Sequence, residues 1–271
     1  MKEEDRLIVA APTFFDENYS LDIDSFRNHI QYLKDKGVRN ILVGGYTGEF
    51  DKLSRFRTRI TGQSKYVKEI HLNSYVNITD RSLEETINNT LYCDSKKLVV
   101  APSYFAKNEE DMINSMQKIA ETGYDIILYI NDALGNIEVE TVKQIAKIEN
   151  VFGAKISTRD KDLFKKYVKA FKRKDVWYGD DILAIFNLSD KKNYGIVSGF
   201  IGNIEPESLV NLVKGKNGLT SRYFDLYISN SWMHGKEISA VKTILKKRGI
   251  TRYDTVTKYT KELTDREKKL V

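Results

Sequence analysis

Ile127-Leu128-Tyr129-Ile130-Asn131-Asp132 and Gly153-Ala154-Lys155-Ile156-Ser157 are the two stretches on which the reading of this sequence turns. Each is a short apolar run that ends in polar residues. Between them Val139, Val142, Ile145 and Ala146 recur with a period near 3.6 after Gly135, the mark of an amphipathic helix. A run that is apolar at successive positions is buried on both faces, as strands of parallel sheets are. Strand, helix, strand is therefore the local reading. Working outward, the alternation repeats along the chain. Strands are predicted at 7–11, 40–44, 70–76, 97–101, 125–130, 151–155, 175–178 and 195–197. Helical stripes lie between them, such as Phe26, Ile30 and Leu33, which Asp22 or Asp24 can cap and Gly37 can end. Met112, Met116 and Ile119 form another before Gly123. Eight such units are the arithmetic of a parallel barrel, although a doubly wound open sheet shows the same periodicity. Residues 1–206 are predicted to form a barrel body. Residues 207–271 read as entirely helical: a closing helix and a small C-terminal helical extension of the same unit.

Composition narrows the function classes. The 271 residues are close to the roughly 250 of one α/β barrel. With 41% hydrophobic and 30% charged residues the chain can bury a large core, which excludes global disorder. Only 3 Pro beside 16 Gly argue against a Pro-rich linker. Cys93 is the single cysteine, and His29, His71 and His234 lie far apart, so neither an internal disulfide nor a metal site is expected. No apolar run approaches the length of a membrane span, and the charged start Met1-Lys2-Glu3-Glu4-Asp5-Arg6 is unlike a signal peptide. A cytoplasmic protein without a membrane partner is expected. The net charge of +6 raises the question of nucleic acid. The densest basic stretch runs from Lys161 to Lys174 and includes Lys172 and Arg173. Its Leu163, Phe164, Tyr167, Val168 and Phe171 form one helical stripe, so its lysines read as a solvated face and not a nucleic-acid footprint.

Active sites of parallel barrels lie at the C-terminal ends of the strands. There, Gly44-Gly45-Tyr46-Thr47-Gly48-Glu49 admits two readings, a backbone cradle for a carboxylate or phosphate and a tight turn that needs positive φ. Lys155 is the sharpest anomaly. Desolvation lowers an ammonium pKa and frees the amine to form a Schiff base with a carbonyl, whereas a lysine just clear of its strand would merely reach back to water. Tyr129, one strand earlier, would lie beside Lys155, where a phenol can relay protons. Pro102-Ser103-Tyr104, Gly179-Asp180-Asp181 and Gly195-Ile196-Val197-Ser198-Gly199 follow other strands, and Gly195 and Gly199 would let substrate lie against backbone.

The order of these pieces resembles the dihydrodipicolinate synthase / N-acetylneuraminate lyase family of Schiff-base-forming class I aldolases. The resemblance runs from Pro12-Thr13-Phe14 with Asp22 through Gly45-Tyr46-Thr47-Gly48-Glu49, Tyr104, Leu128-Tyr129, Gly153-Ala154-Lys155 and Gly179-Asp180-Asp181 to Gly195-Ile196-Val197-Ser198, Asn203 and Pro206. It implies a (β/α)8 TIM barrel in which Lys155 forms an imine with a 2-oxo acid, usually pyruvate, and Tyr129 shuttles protons. It also implies that Thr47 helps hold the carboxylate, that no cofactor or metal takes part, and that Tyr104 reaches a neighbouring subunit's site in a homotetramer built from dimers.

Departures refine the expectation. Tyr46 stands where the family has Thr or Ser, and the family's Y-N-x-P is broken to Tyr129-Ile130-Asn131-Asp132. Leu134 occupies the position of the arginine with which synthases grip the semialdehyde carboxylate. Ser157, two residues after the lysine, offers a hydroxyl. This balance is most similar to the archaeal 2-keto-3-deoxygluconate aldolases. The expected reaction is reversible cleavage of a 2-keto-3-deoxy sugar acid to pyruvate and a hydroxyaldehyde. Tyr46, Thr47, Tyr104, Ser157, Gly179, Asp181 and Val197 are the candidate substrate-binding residues. The alternatives are dihydrodipicolinate synthase or N-acetylneuraminate lyase chemistry, and a catalytically weakened barrel kept for binding.

Overall fold

In the computed structural model of the protein, eight parallel strands pair in chain order and the last closes on the first, giving a (β/α)8 barrel and not an open sheet. The structure describes residues 1–53, 56–172, 174–188, 194–216, 222–229 and 233–271. Arg173 of the basic stretch lies outside them. The strands are β1 Leu7–Ala10, β2 Asn40–Val43, β3 Asn73–Asn77, β4 Lys97–Val100, β5 Asp125–Asn131, β6 Val151–Ser157, β7 Asp175–Tyr178 and β8 Tyr194–Ser198. Between them run helices α1 Ile23–Asp35, α2 Phe56–Glu69, α3 Leu83–Thr90, α4 Glu109–Ala120, α5 Val139–Ile145, α6 Lys161–Ala170 and α7 Asp181–Leu188. After β8 come α8 Ile201–Ile204, α9 Pro206–Val213, α10 Arg222–Ser229, α11 Glu237–Lys247 and α12 Asp265–Leu270.

Local chemistry sets the helix ends. The Asp22 carboxylate accepts the Ser25 N–H at 3.0 Å and starts α1, and Gly37, at φ +87°, follows its end. On α6 the stripe of Phe164 and Tyr167 is buried while Lys161, Lys165, Lys166 and Lys169 face solvent, as the periodicity predicts. Two expectations need correction. The strand predicted at 70–76 begins only at Asn73, because α2 continues through Glu69 and His71 turns the chain with φ +59°. Residues 248–264, expected to be helical, form an irregular strap instead. They are rich in β-branched threonine, and their polar groups bond to the barrel: the Thr257 N–H and Thr260 hydroxyl donate to Glu49 Oε1 at 2.8 and 2.7 Å.

Two apolar regions result. The larger lies between the strands and the helix ring. The smaller fills the barrel itself with Ile8, Leu42, Tyr75, Val99, Ile127, Trp177 and their neighbours. Trp177 is fully buried there, and its indole N–H donates to Asp5 O at 2.9 Å. The glycines beside it are small for that reason: a Cβ on Gly195 would sit 2.4 Å from Trp177 Cδ1, and one on Gly153 2.7 Å from Cζ3. The space at Gly195 thus belongs to the indole and not, as the sequence reading had it, to substrate. Bulk fills the lower barrel and leaves the C-terminal end open.

Candidate active site

Strand alternation aims a defined set of side chains into that open end. A register shift early in the β5–β6 pair puts Ile126 opposite Val151 but Ile127 opposite Gly153. From there Tyr129 pairs with Lys155 and Asn131 with Ser157. All four side chains line one cavity of about 450 Å³, together with Tyr46 and Thr47 from the turn after β2, Gly179 and Asp181 after β7, and Val197 of β8.

Lys155 is only 5% exposed. The strand continues two residues beyond it, so the alternative of a lysine clear of its strand and reaching for water does not hold. Its Nζ lies 4.0 Å from the centroid of the Tyr129 ring, a cation–π distance. Gly179 makes room for this arrangement. A Cβ there would lie 2.9 Å from Lys155 Cε and 2.0 Å from Ser157 Oγ. The Tyr129 phenol oxygen accepts a hydrogen bond from Asn131 Nδ2 at 2.9 Å.

Facing this pair, Thr47 is buried and Tyr46 is half exposed. The turn that carries them uses positive φ at Gly44 (+64°) and at Glu49 (+60°), so the tight-turn reading holds for the backbone. Burial raises the Tyr46 phenol pKa, aided by Asp51, Glu237 and Tyr129. Thr47 packs against the backbone of Gly199, where a Cβ would come within 2.6 Å of its Oγ1, and Gly199 itself borders the cavity. The turn is held from behind by a fully buried ion pair, Lys242 Nζ to Glu49 Oε2 at 2.6 Å, and Lys242 also donates to Thr255 O at 2.8 Å. Burial raises the Glu49 carboxyl pKa, but Lys242 and the threonine donors outweigh it and hold the group below its ordinary value.

The other predicted residues divide. Ser157 is half-buried in the cavity wall beneath Gly179. Asp181 also borders the cavity, yet its Oδ2 accepts the Phe200 and Ile201 N–H groups at 2.8 and 2.9 Å and so caps α8. Burial pushes its pKa up to about 6 against the pull of Ser198 and those two amides. Oδ2 thus serves as a structural cap, while Oδ1 is buried without a hydrogen-bond partner among the described residues. Tyr104 does not line the cavity. It lies half-buried against Phe50, ring centroids 5.4 Å apart. Leu134 packs against the barrel interior.

Several cavity residues escaped the sequence reading. Asn131 was readable in principle, since a residue two after Tyr129 on a strand shares its face. Arg159 was readable as four residues beyond Lys155. Tyr227 and Glu237, joined by a 2.9 Å hydrogen bond from the phenol to the carboxylate, come from α10 and α11 and carried no local signal. Among the described residues no group of three or more His, Cys, Asp or Glu is placed to hold a metal ion, and no helix is long and apolar enough to cross a membrane.

A parallel eight-stranded barrel with a buried lysine beside a tyrosine at the strand ends defines a class of barrel with a candidate amine nucleophile. The family follows from comparison: residues 3–271 match the model of the dihydrodipicolinate synthetase family, and the chain belongs to that family. It is similar to a DapA-like lyase of unassigned function from Pyrococcus furiosus, 30% identical over 160 residues, which are 56% of this chain and 53% of that protein. The chain thus spans about half the length of the curated relatives it matches first. It is also similar to the 4-hydroxy-tetrahydrodipicolinate synthase of a Hydrogenobaculum species, 30% identical over 211 residues, 74% of this chain and 72% of that protein. Among solved structures, YagE of Escherichia coli K12, in complex with pyruvate, has the same fold with a TM-score of 0.84 at 19% identity, covering 97% of this chain and 95% of that one.

Proposed function

We propose that the protein is a class I aldolase that reversibly cleaves a 2-keto-3-deoxy sugar acid to pyruvate and a hydroxyaldehyde. The observation that carries this reading is Lys155, buried in the cavity with its Nζ 4.0 Å from the Tyr129 ring. Lys155 has no carboxylate partner among the described residues, and a buried lysine of that kind costs stability that chemical duty justifies. In the cleavage direction the neutral Lys155 amine attacks the keto carbon of the substrate. The new N–C bond forms as the carbonyl π pair moves to oxygen, which takes a proton. The nitrogen loses a proton, the hydroxyl leaves as water after taking another, and the C=N bond forms. The iminium then accepts the electron pair of the breaking C3–C4 bond while the C4 hydroxyl gives up its proton, so the aldehyde leaves and an enamine of pyruvate remains. Protonation at C3 and hydrolysis of the imine release pyruvate and the free amine. Tyr129 is the group we assign to carry these protons, and Tyr46 with Thr47 to hold the substrate carboxylate.

The cavity mouth supports a hydroxylated acceptor. Asp132, Asp180 and Glu237 line it against one guanidinium, Arg159, and an acceptor with its own carboxylate would meet that acidic rim. Ser157 supplies a donor–acceptor hydroxyl near Lys155. A second reading, condensation with aspartate semialdehyde, is favoured by Arg159, which is exposed and has no partner among the described residues. Comparing kcat/KM for pyruvate with glyceraldehyde and with aspartate semialdehyde decides between them. A charge-assisted contact to a carboxylate is worth about 2–3 kcal/mol, roughly a hundredfold. We expect glyceraldehyde to be favoured by at least that factor, and Ser157→Ala to lower its kcat/KM while leaving pyruvate binding intact. A preference for the semialdehyde that Arg159→Ala abolishes would refute the sugar reading. The homotetramer is part of this proposal, and in it we assign Tyr104, which lies outside its own chain's cavity, to a neighbouring subunit's site.

A further inference from the structure

Asn131 occupies a position that its neighbours over-determine. It follows Tyr129 by two residues on β5, so both side chains point into the barrel, and it pairs in register with Ser157 as Tyr129 pairs with Lys155. The Ala133 N–H lies 3.0 Å from one terminal atom of the Asn131 amide. A backbone N–H can only donate, so that atom is the carbonyl Oδ1. The NH₂ is therefore the group 2.9 Å from the Tyr129 phenol oxygen. The Asx turn thus fixes which end of the amide faces the phenol.

We propose that Asn131 is a positioning residue for proton transfer: its amide, locked by the Ala133 N–H, occupies one lone pair of the Tyr129 oxygen, directs the phenol hydrogen into the cavity and stabilises the phenolate left when that hydrogen is given up. The proposal rests on the assignment of Lys155 and Tyr129 as the reacting pair. A donor to an anion favours the anion, so removing it makes the phenolate harder to form. The ionisable groups facing Tyr129 are Lys155 from β6 and Tyr46 from the turn after β2. Asp132, Arg159, Asp181 and Glu237 line the cavity beyond them. Asn131→Ser leaves this set unchanged, whereas Asn131→Asp adds a carboxylate to it.

Asn131→Asp and the uncharged Asn131→Ser together separate this role from a structural one. The aspartate still accepts the Ala133 N–H and keeps the turn, but it turns an acceptor towards the phenol instead of a donor. The readout is enzyme-catalysed exchange of the pyruvate methyl protons with deuterated water, followed by NMR across pH. It reports the enamine and needs no acceptor aldehyde. Asn131→Asp is expected to exchange about tenfold more slowly, with the rising limb of its pH profile shifted to higher pH by about one unit and with KM for pyruvate within about twofold of the unaltered protein. In a Tyr129→Phe background Asn131→Ser is expected to change nothing further. A rate and pH profile equal to those of the unaltered protein would overturn the proposal, as would an equal loss in the Tyr129→Phe background. Asn131→Ser carries the test without a new charge beside Lys155, because its hydroxyl can accept the Ala133 N–H but is too short to reach the phenol, and a slowing seen in Asn131→Asp alone would overturn the proposal. If the unaltered protein neither exchanges the methyl protons nor forms a pyruvate adduct on Lys155, the aldolase reading itself fails. Exchange and adduct with no effect of Asn131 refute only this inference.

Discussion

Gly179→Ala adds one methyl group where the structure has no space for it. The backbone of Gly179 lies outside the left-handed region, so an alanine meets no conformational penalty and only collision counts. The new Cβ would sit 2.0 Å from Ser157 Oγ, 2.9 Å from Lys155 Cε and 3.2 Å from Lys155 Cγ. Ser157 can turn its hydroxyl away. Lys155 cannot turn away without leaving the face of the Tyr129 ring, since its stem is what the methyl touches. Overpacking of this kind costs about 1–3 kcal/mol, or on the order of 2–10 °C in Tm for a chain of this size. The larger effect falls on chemistry, because displacing a reacting group by up to about 1 Å costs as much as a hundredfold in rate. The assay is the rate at which borohydride traps pyruvate on the protein, with Tm measured alongside. Gly123→Ala is the control. At φ +78° with nothing within 4 Å it is strained but remote, and should lose about 1 kcal/mol without slowing trapping. Trapping by Gly179→Ala at the unaltered rate would refute the claim that this glycine sets the position of Lys155.

Two further perturbations test the frame around the site. Asp181, with a pKa near 6 in the fold against an ordinary 3.8, favours the fold while protonated; that contribution is full below about pH 3.8 and is lost as pH rises through about 6. The gap corresponds to at most about 3 kcal/mol. Asp181→Asn should therefore flatten the pH dependence of urea unfolding between pH 4 and 7 and gain stability at pH 8, and an unchanged dependence contradicts this. Lys242→Met leaves the Glu49 carboxylate buried without its cation and should cost about 3–5 kcal/mol, part of which Glu49→Gln in the same chain restores. A loss below about 1 kcal/mol would show that the pair does not hold the turn after β2.

How much of this was legible beforehand depended on distance along the chain. The barrel was, because apolar runs and 3.6-period stripes are local signals that each strand and helix carries. The placement of Lys155 beside Tyr129 was, because an ionisable residue inside an apolar strand is anomalous wherever the strand lies. The boundary of β6 was not. The register shift opposite Ile126–Ile127 turns Gly153, Lys155 and Ser157 inward, and simple alternation does not announce it. The second role of the glycines was also hidden. Gly195 looked like an opening for substrate, but the room it leaves is taken by Trp177, and Gly199, which does border the cavity, also makes room for Thr47. Asp181 was expected only as a contact to sugar hydroxyls, and its second task, accepting the amides of Phe200 and Ile201, was hidden. The strap at 248–264 read as helix because nothing local reveals that its threonines bond to Glu49. Contacts across the fold, and not propensity, decided each of these.

The central claim is that Lys155 is the nucleophile. Intact-mass analysis after incubation with pyruvate and borohydride, followed by peptide mapping, tests it most directly. One reduced pyruvate adduct per chain, located on Lys155 and absent from Lys155→Ala together with all turnover, is the predicted result. An adduct on a different lysine, or an active protein that takes up none, would contradict it.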